Sequence, residues 1–265
     1  MQDSDLAALG GLARLAGQAV RDIARSGFTV AQKADRSPVT AADTASSDII
    51  LAGLNQLFPG LPVVCEETKA APYAERRNYK CFFLVDPLDG TKEFIQGRDD
   101  YCVLIALIED GRPVCGVIHA PASDRLYCGG PGIPSTRRTG NGPPQALRAV
   151  APRPGEPLVV MASRSHPDAG LDAYLARFPG HRRVSRGSAL KLAALAEGAC
   201  HLYPRLGPTW EWDIAAGHAV LLGAGGELTA PDGAPFAYNK PELLNGPFLA
   251  RSFCGSAIDG ISLLS

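Results

Sequence analysis

No two cysteines of this 265-residue chain are spaced as C-x-x-C, and the seven present (65, 81, 102, 115, 128, 200 and 254) are an odd number, several of them inside apolar runs. A disulfide framework is therefore not supported, and buried free thiols in a reducing compartment are expected. The amino end, Met1-Gln2-Asp3-Ser4-Asp5, is acidic and lacks a basic segment followed by a sustained apolar one, so it does not read as a secretory signal. The longest aliphatic run, Val103 to Ile108, is far too short to span a bilayer. A cytoplasmic location is expected. Excess charge is missing as well: a formal net charge of −1 offers no reason to propose a nucleic-acid polymer or an acidic membrane surface as partner. Any anion must be bound locally. Linker-like composition is absent from the centre of the chain, and 46% hydrophobic residues support a substantial core, in one large domain or two intimately packed ones.

What the chain does contain is organised around Val85-Asp86-Pro87-Leu88-Asp89-Gly90-Thr91. Cys81 to Val85 is an apolar run that reads as a buried strand, and Lys92-Glu93-Phe94-Ile95 reads as the opening of a helix. Two carboxylates three residues apart at a strand exit, with a proline fixing the backbone between them, cannot both be buried without a counter-charge. Oxygen-only ligands, including a carbonyl such as that of Leu88, suit magnesium. The N–H groups of Gly90 and Thr91 then stand at a helix N-terminus, beside the cation, as an anion site. A plain turn is the competing reading, because Asp, Pro and Gly are all turn formers.

Around this stretch the pattern alternates. Leu6, Leu9, Ala13, Ala16, Val20 and Ile23 define an amphipathic helix, and Ile49, Ile50, Leu54 and Leu57 a second one with Asp43 in its first turn. Leu61 to Cys65 is a short strand that delivers Glu66 and Glu67, whose side chains point to opposite sides; one can face Asp86 and the other solvent or a basic partner. Tyr101 to Glu109 and Pro113 to Ala120 form a hairpin about Asp110-Gly111, and Arg125 to Cys128 is a further strand. Gly129 to Gln145, rich in Gly, Pro and Arg, has no apolar period and reads as a mobile surface loop that ends the first half. The second half alternates strands (158–163, 182–185, 200–203) with helices (168–178, 188–197), and a small-residue helix over 212–222 carries Asp213 at its start. Taken singly, Asp43 and Asp213 read as helix-start carboxylates and Glu66-Glu67 as a surface pair.

Together, Glu66-Glu67, Asp86-Pro87-Leu88-Asp89-Gly90-Thr91, Trp212-Asp213-Ile214-Ala215-Ala216-Gly217 and Gly225-Gly226 resemble the inositol monophosphatase superfamily of magnesium-dependent, lithium-sensitive phosphomonoesterases. The resemblance extends over nearly the whole chain. Within the superfamily it is nearest to the 3'(2'),5'-bisphosphate nucleotidases of the CysQ type. The residues that carry it are Val39-Thr40-Ala41-Ala42-Asp43, Asp89 to Phe94, Ser163-Arg164-Ser165-His166-Pro167, Gly187-Ser188-Ala189-Leu190-Lys191 and Leu202 to Thr209. Two departures are the longer Gly/Pro/Arg segment after Cys128 and Ala189, where bisphosphate nucleotidases carry serine or glycine.

The resemblance implies an α/β fold, a layered sandwich of alternating α and β layers, with a metal site between an N-terminal half (1–150) that carries most metal ligands and a C-terminal half (151–265) that carries nucleotide-binding residues and Asp213. It implies two or three magnesium ions. Glu66, Asp86 and the Leu88 carbonyl resemble the ligands of one, and Asp86, Asp89 and Asp213 those of a second, a pair that can stabilise entering and leaving oxygens of an in-line displacement. It further implies that Glu66 and the Thr91 hydroxyl, polarised by Asp43, orient a metal-activated water, that Asp213 assists the leaving oxygen, and that Gly90 and Thr91 hold the phosphoryl group. A second phosphate needs basic partners, and Lys191 and Arg205 meet that need, joined by His166 and Ser188. The implied partner is a small bisphosphorylated nucleotide, with 3'-phosphoadenosine 5'-phosphate favoured. An inositol monophosphatase or sugar bisphosphatase would use the same metal core, a nucleotide-binding sensor would use it without chemistry, and a structural protein would use the acids only as helix caps.

Overall fold

The structure is a computed structural model, and it describes residues 2–33, 37–165, 170–255 and 263. The chain opens with helix α1 (Asp3–Ser26), whose Leu9, Leu12, Ala13, Ala16 and Val20 are buried on one face. A two-stranded hairpin, β1 (Val30–Gln32) and β2 (Pro38–Thr40), leads into helix α2 (Ala41–Leu57). Next come β3 (Val63–Cys65), a one-turn helix α3 (Tyr73–Arg76), β4 (Cys81–Asp89), the short helix α4 (Thr91–Ile95), β5 (Cys102–Glu109), β6 (Arg112–Ala120) and β7 (Arg125–Gly130). Strands β8 (Ile133–Thr139) and β9 (Gln145–Ala146) complete a seven-stranded sheet in the order β3-β4-β5-β6-β7-β8-β9, antiparallel except for the parallel pair β3 and β4. Both central residues of the β5–β6 turn, Asp110 (φ 47°) and Gly111 (φ 72°), have positive φ, as the Asp-Gly signal requires.

After residue 150 the chain builds a second sheet. Strands β10 (Val159–Ser163), β11 (Arg182–Arg186) and β12 (Leu202–Arg205) are joined by helices α5 (Leu171–Leu175) and α6 (Leu190–Ala196). A short strand β13 (Thr209–Trp210) runs straight into helix α7 (Glu211–Gly223), followed by β14 (Glu227–Thr229), β15 (Leu244–Asn245) and β16 (Phe248–Arg251). The second sheet has the order β11-β10-β12-β16-β14, while β13 pairs with β15 apart from it.

Strand periodicity sets the layering. Phe83, Val85, Val103, Ile105, Cys115 and Val117 face one way, into a core with Leu9, Leu12, Ala16, Ile50 and Leu54 of α1 and α2. Their alternates, Phe82, Leu84, Leu104, Ala106 and Ile118, face the other way and pack on α6 and α7. The same cluster continues through those helices to Val159, Met161, Tyr203 and Phe248 of the second sheet. The outer face of that sheet, with Val160, Leu202 and Leu249, is covered by Leu171, Tyr174 and Leu175 of α5. The result is the α/β layered sandwich expected from the sequence, helix layers alternating with sheets. A strand buried on both faces must be apolar at every position, which is why Cys81 to Val85 shows no alternation. Among the described residues no helix is long and apolar enough to cross a membrane.

The expected loop over 129–145 is corrected here, because Gly130 and Ile133 are paired and Ile133 to Thr139 is a regular antiparallel strand. Its position near the sheet edge relaxes the need for apolar residues, and polar contacts hold it instead. Ser135 Oγ donates to the Val220 carbonyl of α7 at 2.7 Å, and Arg137 pairs with Glu197 at 2.9 Å. The expected helix over 188–197 is shorter, beginning at Leu190, because Ser188 takes a positive φ of 51° that no helix accommodates. For the helix expected over 168–178, the described part is Leu171–Leu175.

Helix α7 lies so close to the first sheet that a β-carbon on Gly116 of β6 would stand 2.3 Å from the Ala216 carbonyl oxygen and 2.8 Å from its Cα. Gly116→Ala is therefore expected to destabilise the protein by about 1–3 kcal/mol, the cost of overpacking a tight core. Gly11→Ala is the control: it sits mid-helix in α1 with nothing within 4 Å of the added carbon. It should stabilise by about 0.5–1 kcal/mol. Urea unfolding at constant slope separates the two, and equal midpoints would contradict the packing argument.

Candidate functional site

Strand β4 brings the acids into place. Its pairing with β5 is regular from Cys81 to Asp86 and shifts register before Asp89, so the strand bends where the proline removes a donor. The Pro87 carbonyl accepts from Ser46 Oγ of α2 at 2.7 Å, which anchors the bend. Asp86 is 1% exposed and accepts the Leu88 N–H at 3.0 Å. Asp89 accepts the N–H of Ala189 from the other half of the chain. Gly90 follows at φ 92°, and a β-carbon there would meet the Asp100 carbonyl at 2.8 Å, so only glycine fits this corner.

Two helix starts supply further carboxylates. Asp43, at the third position of α2, accepts the Thr40 N–H and the Thr40 hydroxyl, both at 2.7 Å, through one oxygen. Its other oxygen lies 3.0 Å from Thr91 Oγ1, which is also 3.1 Å from the Leu88 carbonyl. Thr91 has one proton to donate, so these two acceptors compete for it. Asp213, in the matching position of α7, accepts the Trp210 N–H at 2.7 Å. Both acids do cap their helices, and both also sit against β4's exit.

Glu66, Asp86, Leu88, Asp89, Gly90 and Thr91 line one cleft of about 310 Å³. Ser188, Lys191, Arg205 and Asp213 line the same cleft, so residues 147 positions apart in sequence, Glu66 and Asp213, share one wall. Asp43 stands behind Thr91. His166 lies outside the described residues. The α4 helix is a single turn of five residues, so the Gly90 and Thr91 N–H groups act as individual donors there with little macrodipole behind them.

The cleft contains two opposed charge imbalances. Burial, then repulsion from Glu66, Asp89 and Asp213, pushes the Asp86 carboxyl well above the ordinary range. Asp213 is raised in the same direction by burial and by Asp89. Asp89 is raised by burial to about 6 although Lys191 and the Ala189 N–H favour its charged form. On the facing wall, burial depresses Lys191 against the pull of Asp89, and Arg205 adds like-charge repulsion. Lys191 and Arg205 are only 8% and 6% exposed, with Lys191 Nζ 2.5 Å from the Ser188 carbonyl and Arg205 Nη2 3.1 Å from that of Pro208.

Sequence reasoning missed Lys33. It reaches back from the hairpin to donate to Glu66 at 2.7 Å and Glu67 at 2.6 Å; Glu66 lines the cleft with Asp86 and Glu67 meets a basic partner, as expected, but one lysine bridges the two acids. Burial works against its charge, but the two carboxylates prevail and raise its pKa. It also missed Glu93, buried in α4 and accepting from Ser165, and Cys102, whose Sγ lies 3.3 Å from Ser188 Oγ under the cleft floor. A lysine just before Ser37-Pro38 was the available signal for the first. The seven thiols are free, and His119, His181, His201 and His218 bond locally to packing partners.

Among the described residues no group of three or more His, Cys, Asp or Glu side chains is arranged to hold a metal ion as it stands. The donor chemistry nevertheless fits a hard divalent cation. Buried carboxylates that repel one another with one nearby lysine between them are short of positive charge, and magnesium takes one or two carboxylates and completes its shell with water. A closed protein cage is not needed.

The sequence model of the Inositol monophosphatase family matches residues 1–256. The chain is 41% identical over 238 residues to the 3'(2'),5'-bisphosphate nucleotidase CysQ of Escherichia coli (strain K12), covering 89% of this chain and 94% of that one. Among solved structures it is similar to CysQ from Bacteroides thetaiotaomicron, a bacterial member of the inositol monophosphatase family, with a TM-score of 0.84, 34% identity, and coverage of 95% of this chain and 98% of that one. It is also similar to the inositol monophosphatase from Anabaena (Nostoc) sp. PCC 7120, with a TM-score of 0.72, 27% identity, and coverage of 94% and 90%.

The carboxylate repulsion has a thermodynamic signature. A carboxyl held near 6 in the folded chain, against an ordinary 3.8, binds its proton more tightly folded than unfolded. That contribution to stability is full at low pH and is lost as pH rises through the folded value. The buried histidines 119, 201 and 218, lowered by burial, add a trend of opposite sign that is the same with or without a cation. The difference in Tm between magnesium and EDTA should therefore widen from about pH 5 to pH 8. A difference that is constant or shrinks over that range would contradict the electrostatic reading.

Proposed function

The chain belongs to the inositol monophosphatase family, and from that footing we propose that it is a magnesium-dependent phosphomonoesterase that hydrolyses 3'-phosphoadenosine 5'-phosphate to AMP and phosphate. That it is a phosphatase of the 3'(2'),5'-bisphosphate nucleotidase kind rests on its likeness to the CysQ enzymes over most of both lengths. One observation carries the finer reading: the same cleft is lined by a cluster of buried carboxylates and by two buried cations. A phosphate neutralised at the carboxylate end and a second held by Lys191 and Arg205 would satisfy both.

In this reading Glu66, Asp86, the Leu88 carbonyl, Asp89 and Asp213 hold magnesium, most of them supplied by residues 1–150 and one by residues 151–265. Held by these residues, magnesium would supply positive charge to the cluster and lower the pKa of a water. The protein's own residues do the rest. Thr91 Oγ1, hydrogen-bonded to Asp43, accepts the water's proton as its own shifts towards Asp43 Oδ1, and Glu66 accepts a second hydrogen bond that fixes the water's orientation. Gly90 and Thr91 N–H groups hold the phosphoryl oxygens as charge builds on them. Asp213, at the start of α7, serves the leaving oxygen. Lys33 holds Glu66 through Oε1 and would leave Oε2 open towards the cluster. Lys191, Arg205 and Ser188, with His166, hold the phosphate that stays. Seven free thiols support a reducing, cytoplasmic setting.

Phosphate release from 3'-phosphoadenosine 5'-phosphate, measured with magnesium and with EDTA, tests the reading. Turnover should require the cation, and Asp86→Asn should lower it by at least about 100-fold with the fold retained by circular dichroism. Near-normal turnover of that variant at saturating magnesium would refute the metal assignment.

Substrate choice is tested separately. Lys191→Ala or Arg205→Ala should lower kcat/KM for the bisphosphorylated nucleotide roughly 10- to 150-fold more than for a small monophosphate ester, the worth of a charge-assisted bond. Equal losses on both substrates would mean that these residues support the fold or the metal core. An unchanged preference would return the function to an inositol-phosphate or sugar-phosphate ester.

A further inference from the structure

The chain has two tryptophans, and they stack on one another beside the cleft. Trp210 and Trp212 lie with ring centroids 5.2 Å apart and planes 11° from parallel. Trp210 lines the cleft and is 40% exposed, while its cross-strand partner Leu244, which also lines the cleft, is 41% exposed. One indole face is covered by Trp212. The rest of the lining is charged or polar apart from glycines, buried aliphatics, the two prolines 38 and 208, and Tyr203, which is 3% exposed beneath Lys191. Trp210 alone among the described lining residues offers an open aromatic face.

Resting on the nucleotidase reading, we propose that Trp210, backed by Trp212 and flanked by Leu244, is the shelf on which the nucleobase of the substrate stacks, and that it determines preference for nucleotides over base-free phosphate esters. A nucleotide has anionic and flat apolar parts, and carboxylates and buried cations provide only for the anionic ones. A π-face accepts a base without hydrogen-bond readout. The placement agrees with the substrate's connectivity. The oxygen that leaves in the reaction belongs to the ribose that carries the base, and Asp213, assigned to that oxygen, is in the same helix turn as Trp210, whose N–H it accepts at 2.7 Å.

The shelf is also rigid. Thr209 and Trp210 pair with Asn245 and Leu244, Asn245 Nδ2 donates to Thr209 Oγ1 at 3.1 Å, and Lys240 Nζ donates to Asn245 Oδ1 at 2.8 Å. Lys240 is in turn held by Glu211, which is fully buried at the first position of α7. An aromatic surface fixed this way loses little freedom when a ring lands on it.

Because both tryptophans are here, tryptophan fluorescence, excited at wavelengths the seven tyrosines do not absorb, reports on this site. With magnesium present, AMP should change the emission and ribose 5-phosphate, which lacks the base, should not; Trp210→Ala should abolish most of the AMP response. In kinetics, Trp210→Ala should lower kcat/KM for 3'-phosphoadenosine 5'-phosphate about 5- to 150-fold more than for β-glycerophosphate, mainly through KM, while Trp210→Phe, which keeps a ring, should lose much less. A substrate ratio within about twofold of the unmodified protein in the alanine variant, with nucleotide turnover intact, overturns this inference and leaves the function standing. An equal fluorescence response to ribose 5-phosphate overturns it as well. Failure of the unmodified protein to hydrolyse the nucleotide at all would overturn the function and this inference with it.

Discussion

Too many carboxylates share too small a buried volume at the exit of β4, and the rest of the site is arranged about that excess. Burial raises the proton affinity of Asp86, Asp89 and Asp213, and Glu66 adds repulsion to each, because burial removes the water that would screen them. Such a cluster costs folding energy unless positive charge reaches it. The fold accepts the cost by clamping each acid from a different element. Asp86 is held on a strand buried on both faces, and Asp213 on a helix packed tightly enough to touch the sheet backbone at Gly116. Asp43 ties α2 to Thr91 through both of its oxygens. A scaffold this constrained cannot relax the acids apart, which is what makes them available to a cation.

The facing wall has the inverse problem. Lys191 and Arg205 are buried cations that repel one another, held in the cleft by hydrogen bonds to the Ser188 and Pro208 carbonyls and, for Lys191, by the pull of Asp89. The cleft therefore asks for a cation at one end and an anion at the other. Under the proposed function one bisphosphorylated nucleotide with magnesium answers both, and the tryptophan pair on the rim takes the part of that molecule that neither charge recognises. Lys33 limits the imbalance by lending its own ammonium to Glu66 and Glu67.

How much of this was legible in the sequence depends on whether the determining contact was local. The unbroken run from Cys81 to Val85 marked a strand buried on both faces, and Asp110-Gly111 marked the β5–β6 hairpin, because both signals lie within a few residues. The convergence of Glu66, Asp86, Asp89 and Asp213 was legible through family resemblance, since nothing in the spacing alone brings Asp213 to β4. Strand β8 was not legible: a strand next to the sheet edge, held by Ser135 and Arg137, has no apolar period to read. Lys33 was missed for a related reason. Its partners are more than thirty positions away, and a lysine on a short hairpin has the same local pattern whether it faces water or a carboxylate. Trp210 likewise carries no local mark, because its exposure is decided by pairing with Leu244.

The proposed function, together with the family resemblance, would place two cations in the carboxylate cluster around Asp86, and manganese, a paramagnetic stand-in for magnesium, can report that directly. Electron paramagnetic resonance of the full chain titrated with manganese should show two bound ions with the exchange-broadened spectrum of a closely spaced pair, about 3.5 to 4 Å apart. Binding of a single isolated ion, or of none, would contradict it.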